Sequence, residues 1–270
     1  MISENFSRYQ KMLANERSFD KLFSDEYKGN NFLFYYNKAF SDDPIFNHAV
    51  PAEDTLDSTE VPEDLIEDIF ESVKSKAREF DVPASVFLEE FRANVRRFET
   101  TGIESGYRVI EKMDALSKDL VSSIVDNPFE EISVEETRDA ETWIDIFMRS
   151  FAISQSWKEE LQQRGSRLTS DACTTLLLAS EPKASANISG CLLLHVFPAG
   201  CGGIYCVGTI PERRHRGVAN ALMRKAESLA KEKNCQFTVL QTVNSDGVTP
   251  MYLKLGYLVN FERVVMQSEL

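Results

Sequence analysis

Val207-Gly208-Thr209-Ile210-Pro211-Glu212-Arg213-Arg214-His215-Arg216-Gly217-Val218-Ala219-Asn220-Ala221-Leu222-Met223 takes an apolar strand through a basic loop straight into a helix. Leu222, Ala226 and Leu229 fall on one face of that helix at three- and four-residue spacing. The first turn of a helix leaves its backbone N–H groups without intrahelical partners. The aligned peptide dipoles also put about half a positive charge at that end. A diphosphate can take those donors directly. Gly217 and Ala219 carry too little side chain to hold phosphate oxygens off the backbone, and Arg213, Arg214 and Arg216 add positive charge nearby. No Gly-Lys-Ser/Thr follows the glycine, which excludes a nucleotide-hydrolase P-loop. The glycines of Ala199-Gly200-Cys201-Gly202-Gly203 precede a strand where a dinucleotide fingerprint would follow one.

Working outward, strand patterns at 132–138, 174–179, 188–197, 203–209, 236–241 and 257–267 alternate with helical patterns at 139–153, 155–164, 217–233 and 247–255. Alternating strands and helices around a hairpin-like middle predict an α/β (α+β) fold, a mixed and mostly antiparallel sheet flanked by helices. Residues 118–131, with Asp126-Asn127-Pro128 as a turn signal, read as a connection between an N-terminal half, 1–125, and a C-terminal domain, 131–270.

Arg214-x-x-Gly217-x-Ala219 at a strand-to-helix junction resembles the acyl-CoA signature Gln/Arg-x-x-Gly-x-Gly/Ala of the GNAT acyltransferase superfamily. Tyr252-Leu253-Lys254-Leu255-Gly256-Tyr257 resembles the Tyr-x-Lys-Leu-Gly-Phe motif that closes the same fold. The resemblance spans residues 131–270 and is strongest from 203 to 260. It implies an N-acetyltransferase that uses acetyl-CoA as co-substrate, and no metal, to acetylate an amine-bearing acceptor by direct attack. It further implies that Val207, Gly208 and Thr209 offer backbone groups to the pantetheine arm where two strands part. Arg214, His215, Arg216, Gly217, Val218, Ala219 and Asn220 would hold the pyrophosphate, and Asn244 would make a polar contact. Tyr252 matches the family tyrosine that protonates the departing thiolate. The family often carries a carboxylate on the strand before the loop, and Ile204-Tyr205-Cys206-Val207 has none. Glu212 and His195 remain as candidate bases. Between Gly247 and Tyr252 stands one residue more than the usual pattern. The alternative reading is a non-catalytic acyl-CoA-binding or protein-interaction module that keeps the fold.

The chain has 270 residues and a net charge of -13, with hydrophobic residues at 43% and charged ones at 27%, the balance of a globular protein. Residues 1–130 hold 27 acidic and 15 basic side chains, against 16 and 15 in 131–270. A field of that sign repels nucleic acid and anionic membrane and tolerates a cationic or amine-bearing partner. The start MISENFSRYQ has no signal-peptide apolar region, and no apolar run spans a bilayer. The expectation is a cytoplasmic protein with no nucleic-acid or membrane partner, for which an oligomer remains open. Cys173, Cys191, Cys201, Cys206 and Cys235 read as reduced core residues, an odd number without ligand spacing.

In the first half, residues 3–27 carry a helical pattern with one expected break, 31–40 a strand, 51–64 a loop, 63–80 a helix and 84–88 a strand. Ala77-Arg78-Glu79, Val86-Phe87-Leu88 and Gly106-Tyr107-Arg108-Val109 echo Ala230-Lys231-Glu232, Val239-Leu240-Gln241 and Gly256-Tyr257-Leu258-Val259. The echo points to a tandem arrangement whose N-terminal copy is degenerate and GNAT-like; without it, the first half reads as an accessory interaction or regulatory domain. The entry to its helix, Val61-Pro62-Glu63-Asp64, is acidic and would repel phosphate.

Overall fold

The computed structural model describes residues 2–41, 43–58, 61–120, 132–181 and 188–269. In chain order the elements are α1 (Ile2–Phe23), β1 (Asp25–Lys28), β2 (Phe32–Tyr36), β3 (His48–Pro51), α2 (Glu53–Asp57), α3 (Glu63–Phe80), β4 (Ala84–Glu89), α4 (Val95–Glu104) and β5 (Tyr107–Asp119). There follow β6 (Ser133–Thr137), α5 (Ala140–Phe151), α6 (Lys158–Ser170), β7 (Thr174–Ser180), β8 (Ile188–Val196), β9 (Cys201–Thr209), α7 (Val218–Glu232), β10 (Phe237–Val243), α8 (Thr249–Lys254) and β11 (Leu258–Ser268). Among the described residues no helix is long and apolar enough to cross a membrane.

The chain divides into two compact units that exchange their ends. The first joins Met1–Leu22 to Ser117–Leu240, and the second joins Phe23–Leu116 to Gln241–Leu270. The expected halves, 1–125 and 131–270, therefore coincide with the units only in their middle stretches. The reason is pairing: β11 lies antiparallel to β4, with Arg263 opposite Glu89 and Ser268 opposite Ala84. The expected connection lies outside the described residues from 121 to 131.

In the first unit the strands run in the order β10-β9-β8-β7-β6, antiparallel except for the parallel step between β9 and β10. Trp143, fully buried on α5, donates its indole N–H to the Leu192 carbonyl at 3.1 Å, so a large apolar side chain is buried with its polar atom satisfied. The second unit runs β1-β2-β3-β4-β11-β5, and the step between β3 and β4 is parallel. Ile66, Ile69, Phe70, Val73 and Ala77 of α3 are buried with Val86, Leu88, Phe98 and Met266 in one core. In both units a helix crosses between the two parallel strands, and the run helix, strand, helix, strand recurs as α3-β4-α4-β5 and α7-β10-α8-β11. Gly106 and Gly256, the two glycines of the echo, both have φ near +85° (83° and 89°), and the tyrosine after each is buried.

Three local expectations are corrected. Helix α1 is unbroken: the gap in its apolar pattern after Leu13 is filled by the buried Asn15, which donates to the carbonyls of His195 (3.0 Å) and Phe197 and accepts from the Tyr205 hydroxyl at 2.8 Å. The strand expected over 31–40 stops at Tyr36, because the Asn37 side chain accepts from the Ala39 N–H and starts a 3-10 turn over Lys38–Phe40. The acidic stretch 51–64 contains the end of β3 and the short α2, where the carbonyls of Leu56 and of the capping Ser58 accept from Asn94 at 3.1 and 2.6 Å.

Gly203 marks where α1 meets β9. A Cβ there would sit 1.9 Å from Asn15 Oδ1, an atom that can retreat only by breaking its bond from Tyr205. Gly203→Ala is expected to destabilise the protein by about 1–3 kcal/mol through overpacking. Urea unfolding of the variant measures it, and an unchanged midpoint would show that α1 yields freely.

Candidate functional site

Strand β9 is bent where the site begins. Its register with β8 shifts between Cys191 and Leu193, and Cys206, at φ 54°, is the extra residue of a β-bulge. The Cys191 thiol reaches the Cys206 carbonyl at 3.6 Å. Past the bulge, Gly208 passes so close to α5 that a Cβ would meet Ser150 Cβ at 2.6 Å, and Gly190 on β8 would meet Val218 of α7 at 2.7 Å. These two glycines let both helices approach the end of β9. On its other side, β9 pairs with β10 only from Cys201–Gly203 to Phe237–Val239, so Val207, Gly208 and Thr209 lie beyond that ladder.

The loop then makes a 3-10 turn, Pro211–Arg213, and two left-handed steps, His215 at φ 62° and Gly217 at φ 86°, before α7 starts at Val218. The first N–H bonded into α7 is that of Ala221, to Gly217 O at 3.0 Å. Among the described residues the backbone N–H groups of His215 through Asn220 have no backbone acceptor. No acidic residue stands in the first turn of α7, whereas α3 begins with Glu63 and Asp64. The positive end of α7 is therefore uncompensated and that of α3 is neutralised.

The arginines are placed differently from the sequence expectation of free positive charge. Arg214 turns its guanidinium to the backbone, donating from Nη2 to Ser150 O at 2.9 Å and from Nε to Thr209 O at 3.3 Å. Ser150 O is one of the last carbonyls of α5, which a helix end leaves without partners. Arg214 thus straps the loop to α5. Arg213 donates to Glu181 Oε2 at 3.1 Å, and Arg216 lies 3.8 Å from the same oxygen. Neither Ser150 nor Glu181 carries a sequence signal of its own; the small residues at 190 and 208 are the only hint that helices close in here.

The two candidate bases part ways. Glu212 is 68% exposed and 3.9 Å from Arg149. His195 is 1% exposed, with Nε2 2.9 Å from Ser18 Oγ and Nδ1 3.0 Å from Thr174 Oγ1. Thr174 in turn donates to Asp171 at 2.6 Å. Threonine giving its proton to the carboxylate leaves its oxygen to accept from Nδ1–H, so Nε2 accepts from Ser18. His195 is a satisfied internal residue. The five cysteines are unbridged, and burial pushes the Cys201 and Cys206 thiols up to about 12. Among the described residues no group of three or more His, Cys, Asp or Glu could hold a metal ion.

Asn244 and Tyr252 belong to the second unit. Asn244 opens a 3-10 turn, Asn244–Asp246, and donates to Glu262 Oε2 at 3.1 Å. Tyr252, on α8, is buried with its ring edge-on to Tyr257, centroids 6.1 Å apart. Burial, and then the charge of Asp246, push its phenol up to about 12.

The acetyltransferase (GNAT) family matches residues 140–257. A search of the curated proteins finds no match. In fold the chain is similar to a GCN5-related N-acetyltransferase from Kribbella flavida, at 14% identity and a TM-score of 0.71, covering 96% of this chain and 95% of that one. It is also similar to a GCN5-related N-acetyltransferase from Sphaerobacter thermophilus, at 16% identity and a TM-score of 0.67, with 96% and 90% covered. A tandem GNAT protein from the clavulanic acid biosynthesis pathway aligns at 10% identity and a TM-score of 0.61, over 88% of this chain and 78% of that one.

Burial lowers the His195 pKa from its ordinary 6.5, against the opposing pull of Asp171. The folded state therefore favours neutral imidazole. Its stabilising contribution is whole above about 6.5, the unfolded value, and is lost as pH falls below it toward the folded pKa. An NMR titration of the His195 ring is expected to give a midpoint below 6.5; a midpoint at or above it contradicts the assignment.

Proposed function

We propose, from the match of residues 140–257 to the acetyltransferase (GNAT) family, that the protein transfers an acetyl group from acetyl-CoA to an amine. One observation carries the reading: the row of backbone amides from His215 to Asn220 at the uncompensated start of α7. A CoA diphosphate meets there donors already aimed, with the loop braced by Arg214 on Ser150 and Thr209. Val218, Ala219 and Asn220 supply the first-turn amides, and His215, Arg216 and Gly217 those of the loop. Val207, Gly208 and Thr209 run along the pantetheine arm, where β9 has left β10.

In the proposed reaction a neutral amine attacks the thioester carbonyl, forming the C–N bond as the C–S bond breaks. The N–H of Val207 or Gly208 polarises the carbonyl oxygen as negative charge gathers on it. Tyr252 donates to the sulfur as thiolate character develops. With its phenol near 12, Tyr252 holds its proton throughout the neutral range and is a donor there. The amine gives up its proton to solvent, directly or through waters, since Glu212 is exposed beside Arg149 and His195 is buried in its own hydrogen bonds. Asn244 is proposed as a polar contact. The acidic balance of residues 1–130 suits a cationic acceptor.

The placement of Glu212 and His195 also favours a second reading, a non-catalytic acyl-CoA-binding module. Consumption of acetyl-CoA in the presence of a pool of amines, above the rate in buffer, separates the two.

Calorimetry with acetyl-CoA tests the reading directly, and no binding at millimolar ligand ends it. Gly217→Glu is expected to abolish binding. It forces a side chain into a left-handed step and sets a carboxylate among the amides. Tyr252→Phe is expected to lower turnover by about ten- to a hundredfold and leave acetyl-CoA affinity unchanged. Unchanged turnover would remove Tyr252 from the chemistry.

A further inference from the structure

The loop already carries an anion of its own. Glu181 follows directly on β7, and its Oε2 accepts from Arg213 and lies 3.8 Å from Arg216, two arginines of the loop that leads into α7. Its other oxygen, Oε1, is buried and has no hydrogen-bond partner among the described residues. A carboxylate this poorly satisfied is held by charge more than by hydrogen bonds.

The two arginines are not equivalent. Arg213 is 23% exposed and hydrogen-bonded at 3.1 Å, and it belongs to the 3-10 turn that leads out of β9. Arg216 is 54% exposed, lies at 3.8 Å, beyond hydrogen-bond distance, and stands one residue before the left-handed Gly217. Arg213 is an anchor and Arg216 is a loosely held cation.

Resting on the reading of the loop as a diphosphate site, we infer that Glu181 is a resident counter-anion that surrenders Arg216 when a diphosphate arrives and reclaims it when the product leaves. A diphosphate at the start of α7 presents more negative charge than one carboxylate, so Arg216 transfers to it while Arg213 keeps Glu181 in place. Glu181 is a positioning residue acting through Arg216. It keeps the free loop from being a strong general anion trap and weakens the hold on CoA after transfer, which favours release.

The test uses the full chain, with CoA and inorganic pyrophosphate as calorimetric probes at low and high salt. Glu181→Gln keeps the shape and an acceptor for Arg213 but removes the charge. An ion pair near the surface shifts an equilibrium by up to about fivefold, so the variant is expected to bind both probes about three- to fivefold more tightly at low salt. The gain should shrink at high salt, where exposed charges are screened. In an Arg216→Ala background the gain should vanish, a coupling that a merely structural role for Glu181 would not produce. Glu212→Gln, which removes an exposed carboxylate paired with Arg149, should leave affinity unchanged. If wild type binds CoA and Glu181→Gln binds it equally or more weakly, the counter-anion role is wrong and the diphosphate site stands. If wild type binds neither probe, both fall.

Discussion

Two parallel strands cannot be joined by a tight turn, so the chain between β9 and β10 must leave the sheet, run back as a helix and re-enter. That requirement sets the start of α7 at the end of β9, with its first amides facing away from any intrahelical partner. Everything else described around the loop serves the same junction. Gly190 and Gly208 remove the side chains that would hold α7 and α5 off the strands. The bulge at Cys206 re-aims the strand, and Arg214 ties the loop to the end of α5. The ligand proposed for the loop is thus a consequence of topology before it is one of charge.

The same junction occurs in the second unit with the opposite electrical sign. There β3 and β4 are the parallel pair, α2 and α3 form the crossover, and the first turn of α3 carries Glu63 and Asp64. Repetition of the element order α3-β4-α4-β5 and α7-β10-α8-β11, with a positive-φ glycine and a buried tyrosine at corresponding points, fits a tandem fold in which only one crossover helix begins with acidic residues. Two acidic residues at the head of a helix are enough to change what that end attracts.

Much of this was readable from the residues, for physical reasons that also explain the failures. The strand-loop-helix run from Val207 to Met223 and the closing Tyr252–Tyr257 run have strong local patterning, and both elements stand within a residue or two of where the spacing puts them. The unbroken α1 was not legible, because a buried Asn15 satisfied by carbonyls 180 residues away looks in sequence like a surface interruption. Nor was the exchange of ends, since strand pairing between β4 and β11 is a long-range choice with no local signature. The roles of Arg214 and Glu181 escaped for the same reason: composition reports that charges are near in sequence, and only packing decides which of them are already spoken for.

The exchanged ends carry a further implication for biosynthesis. Helix α1 is made well before its docking surface, since the partners of Asn15, Ser18 and Phe19 are His195, Phe197 and Tyr205. At about 5–20 residues per second, on the order of ten to forty seconds separate the helix from its docking surface. During that interval the Asn15–Phe19 stretch lacks those partners, and β4 in the second unit likewise waits for β11. Neither unit closes before its distant segment has been made, so folding of each is expected to be late and cooperative.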